Sequence, residues 1–184
     1  MKAVLDACVL YPTILREILA DVAAADLYQP VWSPRIIGEW TRAAERLGPD
    51  HGRVAGVEAA LLSDRFPLAA RTGGDGLADG LDLPDPADRH VVETALASGA
   101  PVIITLNMRD FPRRAMLAAG LQALHPDSFL TDLWARHPDT VTGAVTAAME
   151  KAQRISGQAV DLRQMMGRSR LPRLGKAIRR SAEA

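Results

Sequence analysis

Cysteine, net charge and long apolar runs are all in short supply in this chain, and each shortage removes a class of protein. Cys8 is the single cysteine among 184 residues, so no internal disulfide can form and no cysteine-based zinc cluster can be built. No apolar stretch approaches the ~18 residues of a membrane-spanning helix. The opening MKAVLDACVL offers one lysine and then sets Asp6 inside its apolar run, which is poor signal-peptide chemistry. A cytoplasmic protein without membrane association is the expectation. What is present, 48% apolar and 24% charged residues, is the composition of a soluble globular domain. The length suits one ordinary domain with a modest extension and a real core.

The balance of 22 basic against 22 acidic residues hides an asymmetry. Residues 151–184 hold nine Lys or Arg against Asp161 and Glu183, a net of +7, which leaves residues 1–150 at −7. A basic end on an acidic body has two readings: a solvated helix face, or a segment that contacts phosphate or a partner.

Strand-like and helix-like patterns alternate along the chain. Val4 to Leu10 is a short apolar run with Asp6 inside it, as in a strand buried on both faces. Pro12 to about Ala25 has helical periodicity, with Ile14, Leu15, Ile18, Leu19 and Val22 on one side. Leu27–Trp32 suits a second strand. Ser33-Pro34 then supplies an N-cap and a first-turn proline for the next helix. Further helices are expected over Val54–Leu62 and Pro86–Ala97, the latter capped by Asp85 and closed by Gly99. The Gly-rich stretch 71–80 reads as a loop. Val102–Thr105 and Leu121–Leu124 suit strands, and helices fill the chain from Pro126 onward. Strands separated by helices predict an α/β fold with a mainly parallel central sheet flanked by helices, plus a helical C-terminal extension.

Against this frame the polar residues at strand and helix ends stand out: Asp6, Glu39, Asp85, Asp88, Asn107 and Asp110. In an open parallel sheet, sites form beyond the carboxyl ends of the strands. Asp6 and the Thr105–Asn107 segment can both project there. Each residue also has a structural role open to it. Asp85 and Asp88 suit a helix cap, and for Asp85 capping is the better reading. Glu39 suits a solvated helix face, Asp110 a cap on the next helical turn and Asn107 a turn. His90 suits a packed or surface histidine better than a general base. Asp6 is the hardest to explain structurally, since a carboxylate in a buried strand costs stability unless paired, hydrogen-bonded or metal-bound.

The order LDACVL, GEW, DPADRHVVETALASGAPVIITLNMRDFP resembles the PIN domain, the nuclease module of VapC-type toxins in bacterial toxin–antitoxin pairs. The likeness covers roughly residues 1–125 as a nuclease domain. Residues 126–184, including LRQMMGRSRLPRLGKAIRR, resemble the C-terminal extension of one PIN subgroup. The resemblance implies catalytic roles for Asp6, Glu39, Asp88, Asn107 and Asp110. Asp6, Glu39, Asp88 and Asp110 would ligate Mg²⁺ or Mn²⁺, hard cations that prefer carboxylate and water oxygens. Asn107 stands where many PIN proteins carry an acid.

The implied activity is cleavage of RNA phosphodiester bonds by a metal-dependent endoribonuclease, the toxin of a toxin–antitoxin pair. RNA and a small antitoxin protein are the implied partners, and a homo-oligomer is compatible with the sequence. Arg168, Arg170, Arg173, Lys176, Arg179 and Arg180 are candidates for RNA or partner contact, with Arg35 and Arg42 as alternatives.

Two other readings stay open: a non-catalytic interaction module, and a non-toxin RNA-processing nuclease of the same fold. A haloacid-dehalogenase-type phosphatase is disfavoured because it needs an Asp where Cys8 stands. The GGDG of residues 73–76 lacks the Lys-Ser/Thr of a phosphate-binding loop.

Overall fold

Four short strands form one all-parallel sheet in the order β2-β1-β3-β4. They are β1 (Lys2–Leu5), β2 (Gln29–Val31), β3 (Val102–Ile104) and β4 (Gln122–Leu124). The structure is a computed structural model, and it describes residues 1–183. In register, Val4 lies beside Val31 on one side and Ile103 on the other, and Ile103 beside Ala123. Ala3, Val4, Leu5, Ile103 and Ile104 are at most 2% exposed. Continuous apolar triplets of this kind are what a strand covered on both faces requires.

The helices are α1 (Ala7–Leu10), α2 (Thr13–Ala24), α3 (Pro34–Glu45), α4 (Pro49–Arg65), α5 (Arg89–Ser98), α6 (Arg113–Ala118), α7 (Pro126–Arg136), α8 (Pro138–Ser156), α9 (Leu162–Arg168) and α10 (Pro172–Ala182). The chain separates into two compact units that are discontinuous in sequence. One comprises Met1–Tyr11 and Tyr28–Leu124; the other comprises Pro12–Leu27 and the residues from His125 onward.

In the first unit, α5 packs on β1, β2 and β3, and α3 forms a hairpin with α4. Ser33 accepts a hydrogen bond from Ile36 N–H at 3.3 Å and so starts α3. Gly99, at φ 64°, ends α5 in the left-handed conformation that a side chain disfavours. Lys2 Nζ donates to Ser98 O at 2.8 Å and ties that end of α5 to β1. The 71–80 loop is held against α5: Gly76 N–H donates to Glu93 Oε1 at 3.0 Å. A Cβ at Gly74 would lie 2.7 Å from Glu93 O, so glycine allows that approach.

In the second unit, α2 packs on α8, α7 on α8 and α10, and α9 on α10. Gly175 brings α10 close to α9, since an added Cβ would meet Met166 Cβ at 2.8 Å.

Several expected boundaries move. The run from Val4 to Leu10 is not one strand: β1 ends at Leu5, and residues 7–10 form a helical turn that buries Val9 and Leu10. A short apolar run carries no period that separates strand from helix. The helix expected over Val54–Leu62 extends to Pro49–Arg65, with Pro49 in its first turn. The helix expected from Pro86 begins as a 3-10 turn, Pro86–Asp88, and only Arg89–Ser98 is α-helical.

Candidate active site

The order of strands reverses between β1 and β3. The chain runs from β1 outward to β2 and then returns to the other side of β1 as β3. The carboxyl ends of β1 and β3 therefore flank the switch point at which open parallel sheets form clefts. Asp6 follows β1 directly, and Thr105 follows β3.

The backbone of Asp6 continues the sheet: its N–H donates to Ile104 O at 3.1 Å, while its carbonyl accepts from Val9 N–H at 3.0 Å to begin α1. The carboxylate does not cap α1. Instead Oδ2 accepts from Thr105 Oγ1 at 2.7 Å and from Cys8 Sγ at 3.0 Å. Asp6 is only 7% exposed and Thr105 is fully buried. These two donors are how the fold tolerates a buried carboxylate. Thr105 Oγ1 also accepts from Asn107 N–H at 3.0 Å, and Cys8 Sγ accepts from Leu106 N–H at 3.1 Å. One hydroxyl and one thiol thus lock the end of β1 to the turn after β3. Burial first, and then the charge of Asp6, push the Cys8 thiol up to about 12. Cys8 stays protonated as a donor and is no nucleophile.

Asp85 caps the 3-10 turn, its Oδ1 accepting from Ala87 N–H at 2.8 Å. Asp88, at the end of that turn, is half-buried and does not cap α5. Its carboxyl is raised from 3.8 to about 7, chiefly by burial, then by the charge of Asp6, a hydrogen bond with Asp110, and the charges of Asp110 and Asp85. Asp110 does not cap α6, whose N-cap position is Pro112. Asn107 Nδ2 donates to the Asp110 carboxylate, and Asp110 N–H donates to Asn107 O at 3.2 Å. Asp6, Asp88, Asn107 and Asp110 therefore belong to one neighbourhood.

Glu39 joins from α3. Its Oε1 accepts from Arg35 Nε at 3.4 Å and lies 2.9 Å from His90 Nε2, a contact of proximity rather than of aligned hydrogen-bond geometry. His90 is 7% exposed, and its Nδ1 is buried without a hydrogen-bond partner in the protein. Burial lowers the His90 pKa and Arg35 lowers it further, against the opposing pull of Glu39 and Asp6. The imidazole is therefore neutral near pH 7. His90 is close enough to feel the charges of both Glu39 and Asp6. Arg35 Nη2 also reaches Ala87 O at 3.1 Å, tying α3 to the turn that presents Asp88.

Cys8, His90 and Arg35 were not assigned to the site from sequence alone. The signals were faint: Cys8 lies two residues beyond Asp6, Arg35 four residues before Glu39, and His90 two residues beyond Asp88. Arg168, Arg170, Arg173, Lys176, Arg179 and Arg180 belong to the second unit, on and between α9 and α10.

The donor set suits a hard divalent cation, being rich in carboxylate oxygen and crowded enough to hold a proton near pH 7 on Asp88. Among the described residues no three His, Cys, Asp or Glu side chains already stand as a metal-holding group.

The raised Asp88 carboxyl has a sign that can be tested. The folded protein holds this proton more tightly than the unfolded chain, so its contribution to stability is full below about pH 4 and is lost as pH rises through about 7. The metal-free protein is expected to lose Tm between these limits. Asp88→Asn, which mimics the protonated form, should flatten that slope and raise Tm above neutrality. Differential scanning calorimetry in chelator at several pH values checks this, and a wild-type profile already as flat as the variant's would refute the crowding.

The fold is thus an α/β domain with an all-parallel four-stranded sheet and a group of mutually interacting carboxyls near the carboxyl ends of β1 and β3. The sequence profile of the PIN domain matches residues 2–109, and the chain belongs to that family. A stretch of 45 residues, 24% of this chain, is 47% identical to the Mycobacterium tuberculosis (strain ATCC 25618 / H37Rv) protein named "Putative ribonuclease VapC50". The match spans about a quarter of that relative, 27% of its length. No solved structure matches the chain.

Proposed function

We propose that this chain is a divalent-metal-dependent endoribonuclease and the toxin of a toxin–antitoxin pair. The observation that carries the reading is the convergence of Asp6, Asp88 and Asp110 at the β1–β3 switch point, with Glu39 and His90 beside them. The family match and the name of the mycobacterial relative support a ribonuclease of the VapC kind. Mg²⁺ or Mn²⁺ would be held by Asp6, Asp88 and Asp110, with Glu39 as a further ligand. When bound, such an ion supplies an activated water near neutral pH and stabilises charge on a phosphate.

The chain's own residues do the rest of the work proposed here. Thr105 and Cys8 orient the Asp6 carboxylate, Asn107 orients Asp110, and Arg35 orients Glu39, with His90 packed beside it. Such supporting contacts fix ligand direction and tune affinity. RNA cleavage in the presence and absence of metal tests the activity. Induced expression beside Asp6→Ala tests toxicity, and a small antitoxin encoded alongside would complete the pair.

A group of carboxylates cannot attract a polyanion by itself, so the basic end is proposed as the RNA grip. On α10 the buried face is Leu174, Gly175 and Ile178, while Arg173, Lys176 and Arg180 are exposed. Replacing Arg173, Lys176 and Arg180 together by Gln should weaken RNA binding and reduce the salt slope by roughly 3, about one per lost phosphate contact. Metal affinity should stay unchanged. Fluorescence anisotropy at several salt concentrations measures this. Loss of antitoxin binding with RNA affinity intact would instead make the segment a partner surface.

A further inference from the structure

Helix α3 presents two arginines on the side that carries Glu39. Its buried side is Ile36, Trp40 and Ala44. Arg35, Gly38, Glu39 and Arg42 recur at i, i+3, i+4 and i+7, so they share the side turned away from that core. Both arginines are exposed. Arg42, in the last turn, suits the negative end of the helix dipole, but Arg35 lies in the first turn, where the dipole disfavours a cation. Helix stability therefore does not account for Arg35.

The contacts of Arg35 point to another role. Its Nε donates to Glu39 Oε1 at 3.4 Å and its Nη2 to Ala87 O at 3.1 Å. The guanidinium is thereby held between a carboxylate of the site and the turn that presents Asp88. Of the five N–H donors of a guanidinium, these contacts use two, and the other three meet no acceptor among the described residues. The Arg35 side chain is 56% exposed, so those donors are open to a ligand. Arg89, the neighbour of Asp88, is instead tied to Asp79 at 3.2 Å. The Arg42 guanidinium lies over Gly38, where an added Cβ would meet Nη1 at 3.0 Å. Glycine inside a helix costs stability relative to alanine, and here it leaves the room that Arg42 occupies.

We propose, on the ribonuclease reading above, that Arg35 and Arg42 form a phosphate-contacting row beside the carboxylates of the site. Arg35 meets the RNA phosphate that is cleaved, and Arg42 meets another phosphate of the same strand. Cleavage adds negative charge at the phosphate oxygens, so a cation already fixed beside them lowers the barrier. A guanidinium suits this task because its planar fork pairs two phosphate oxygens at once. The two side chains leave the helix about 10 Å apart along its axis, so they suit different phosphates better than one. The basic end of the chain then supplies affinity, whereas Arg35 acts on the rate.

Single-turnover cleavage at saturating RNA, beside Mn²⁺ affinity by calorimetry, tests Arg35. Arg35→Gln should cleave at least ~10²-fold more slowly, with Mn²⁺ affinity and Tm close to wild type. Added guanidinium should restore part of the rate to Arg35→Ala. Binding is read by fluorescence anisotropy in the Asp6→Asn background, where the RNA stays intact. There Arg42→Gln should reduce the salt slope by roughly 0.7–1, the share of one phosphate contact. Gly38→Ala should cause the same loss by displacing the Arg42 guanidinium, while raising Tm as alanine replaces glycine in a helix. A wild-type chain that cleaves RNA, with Arg35→Gln and Arg42→Gln matching it in rate and slope, overturns the proposal and leaves the nuclease reading standing. So does a rate loss in Arg35→Gln that follows lost Mn²⁺ affinity, since Arg35 would then only hold Glu39 and the Asp88 turn in place. Loss of a protein partner in these variants, with RNA binding and cleavage intact, overturns it as well. A wild-type chain that binds RNA without cleaving it would end the nuclease reading instead, and a slope lowered by Arg42→Gln would still uphold the phosphate contact.

Discussion

Asp6→Asn is expected to abolish RNA cleavage while leaving the fold in place. The amide is nearly isosteric with the carboxylate, and its oxygen can still accept from Thr105 Oγ1 and Cys8 Sγ, the two bonds that hold Asp6. What disappears is the charge. The Asp6 charge is one cause of the raised Asp88 carboxyl, so the variant should be at least as stable as wild type in metal-free buffer at neutral pH. The catalytic loss should be on the order of 10²–10³-fold, the range for removing one preorganised electrostatic group. Single-turnover cleavage of a single-stranded RNA in Mn²⁺ and in Mg²⁺, measured beside Tm, separates the two effects. Cleavage within tenfold of wild type would move the chemistry away from the end of β1. Intact binding with no cleavage by the wild type would favour an interaction module instead.

The elements were legible where the sequence carried period and punctuation. Ser33-Pro34 marked the start of α3, Gly99 marked the end of α5, and Val102–Ile104 had the uninterrupted apolar character of a buried parallel strand. Alternating strands and helices pointed to a parallel sheet, which is all-parallel over its four strands. The end of β1 was not legible, because Ala7–Leu10 is as apolar as the strand it follows. Nor was the grouping of α2 with α7–α10, since the packing of α2 on α8 joins segments more than a hundred residues apart.

The acidic neighbourhood was legible as a set of residue types and illegible as geometry. Asp6, Asp88, Asn107 and Asp110 stood at strand and helix ends, which is where a switch-point cleft draws its side chains. The contacts that give them direction join residues far apart in sequence: Thr105 with Asp6, and His90 with Glu39. A lone cysteine and a lone histidine on apolar elements carry no local signal for such pairings. For His90 the packed reading is right as to burial, with Glu39 as its neighbour.

Asp127→Ala should destabilise the second unit by roughly 2–4 kcal/mol, combining a lost helix cap with buried donors left unpaired. Asp127 lies in the first turn of α7 and is 4% exposed. Its Oδ2 accepts from Arg173 N–H and its Oδ1 from Leu174 N–H, each at 3.0 Å. These are among the first amides of α10, whose own N-cap residue, Leu171, offers no side-chain acceptor. One helix therefore caps another, with a full negative charge at the positive end of the dipole. Because Leu174 is fully buried, water cannot readily replace the missing acceptor. Asn at 127 would satisfy one amide and set its own N–H₂ against the other, so an intermediate loss is expected. The damage should concentrate in α10. Urea unfolding measures the total, and hydrogen exchange at Arg173–Ile178 should rise before that of β1 and β3. A change below ~0.5 kcal/mol, the size of an ordinary surface substitution, would mean that α10 is held by Leu174 and Ile178 alone. With the cap removed, the basic residues of α10 lose their fixed presentation, so RNA affinity should fall in Asp127→Ala although no cation has been changed.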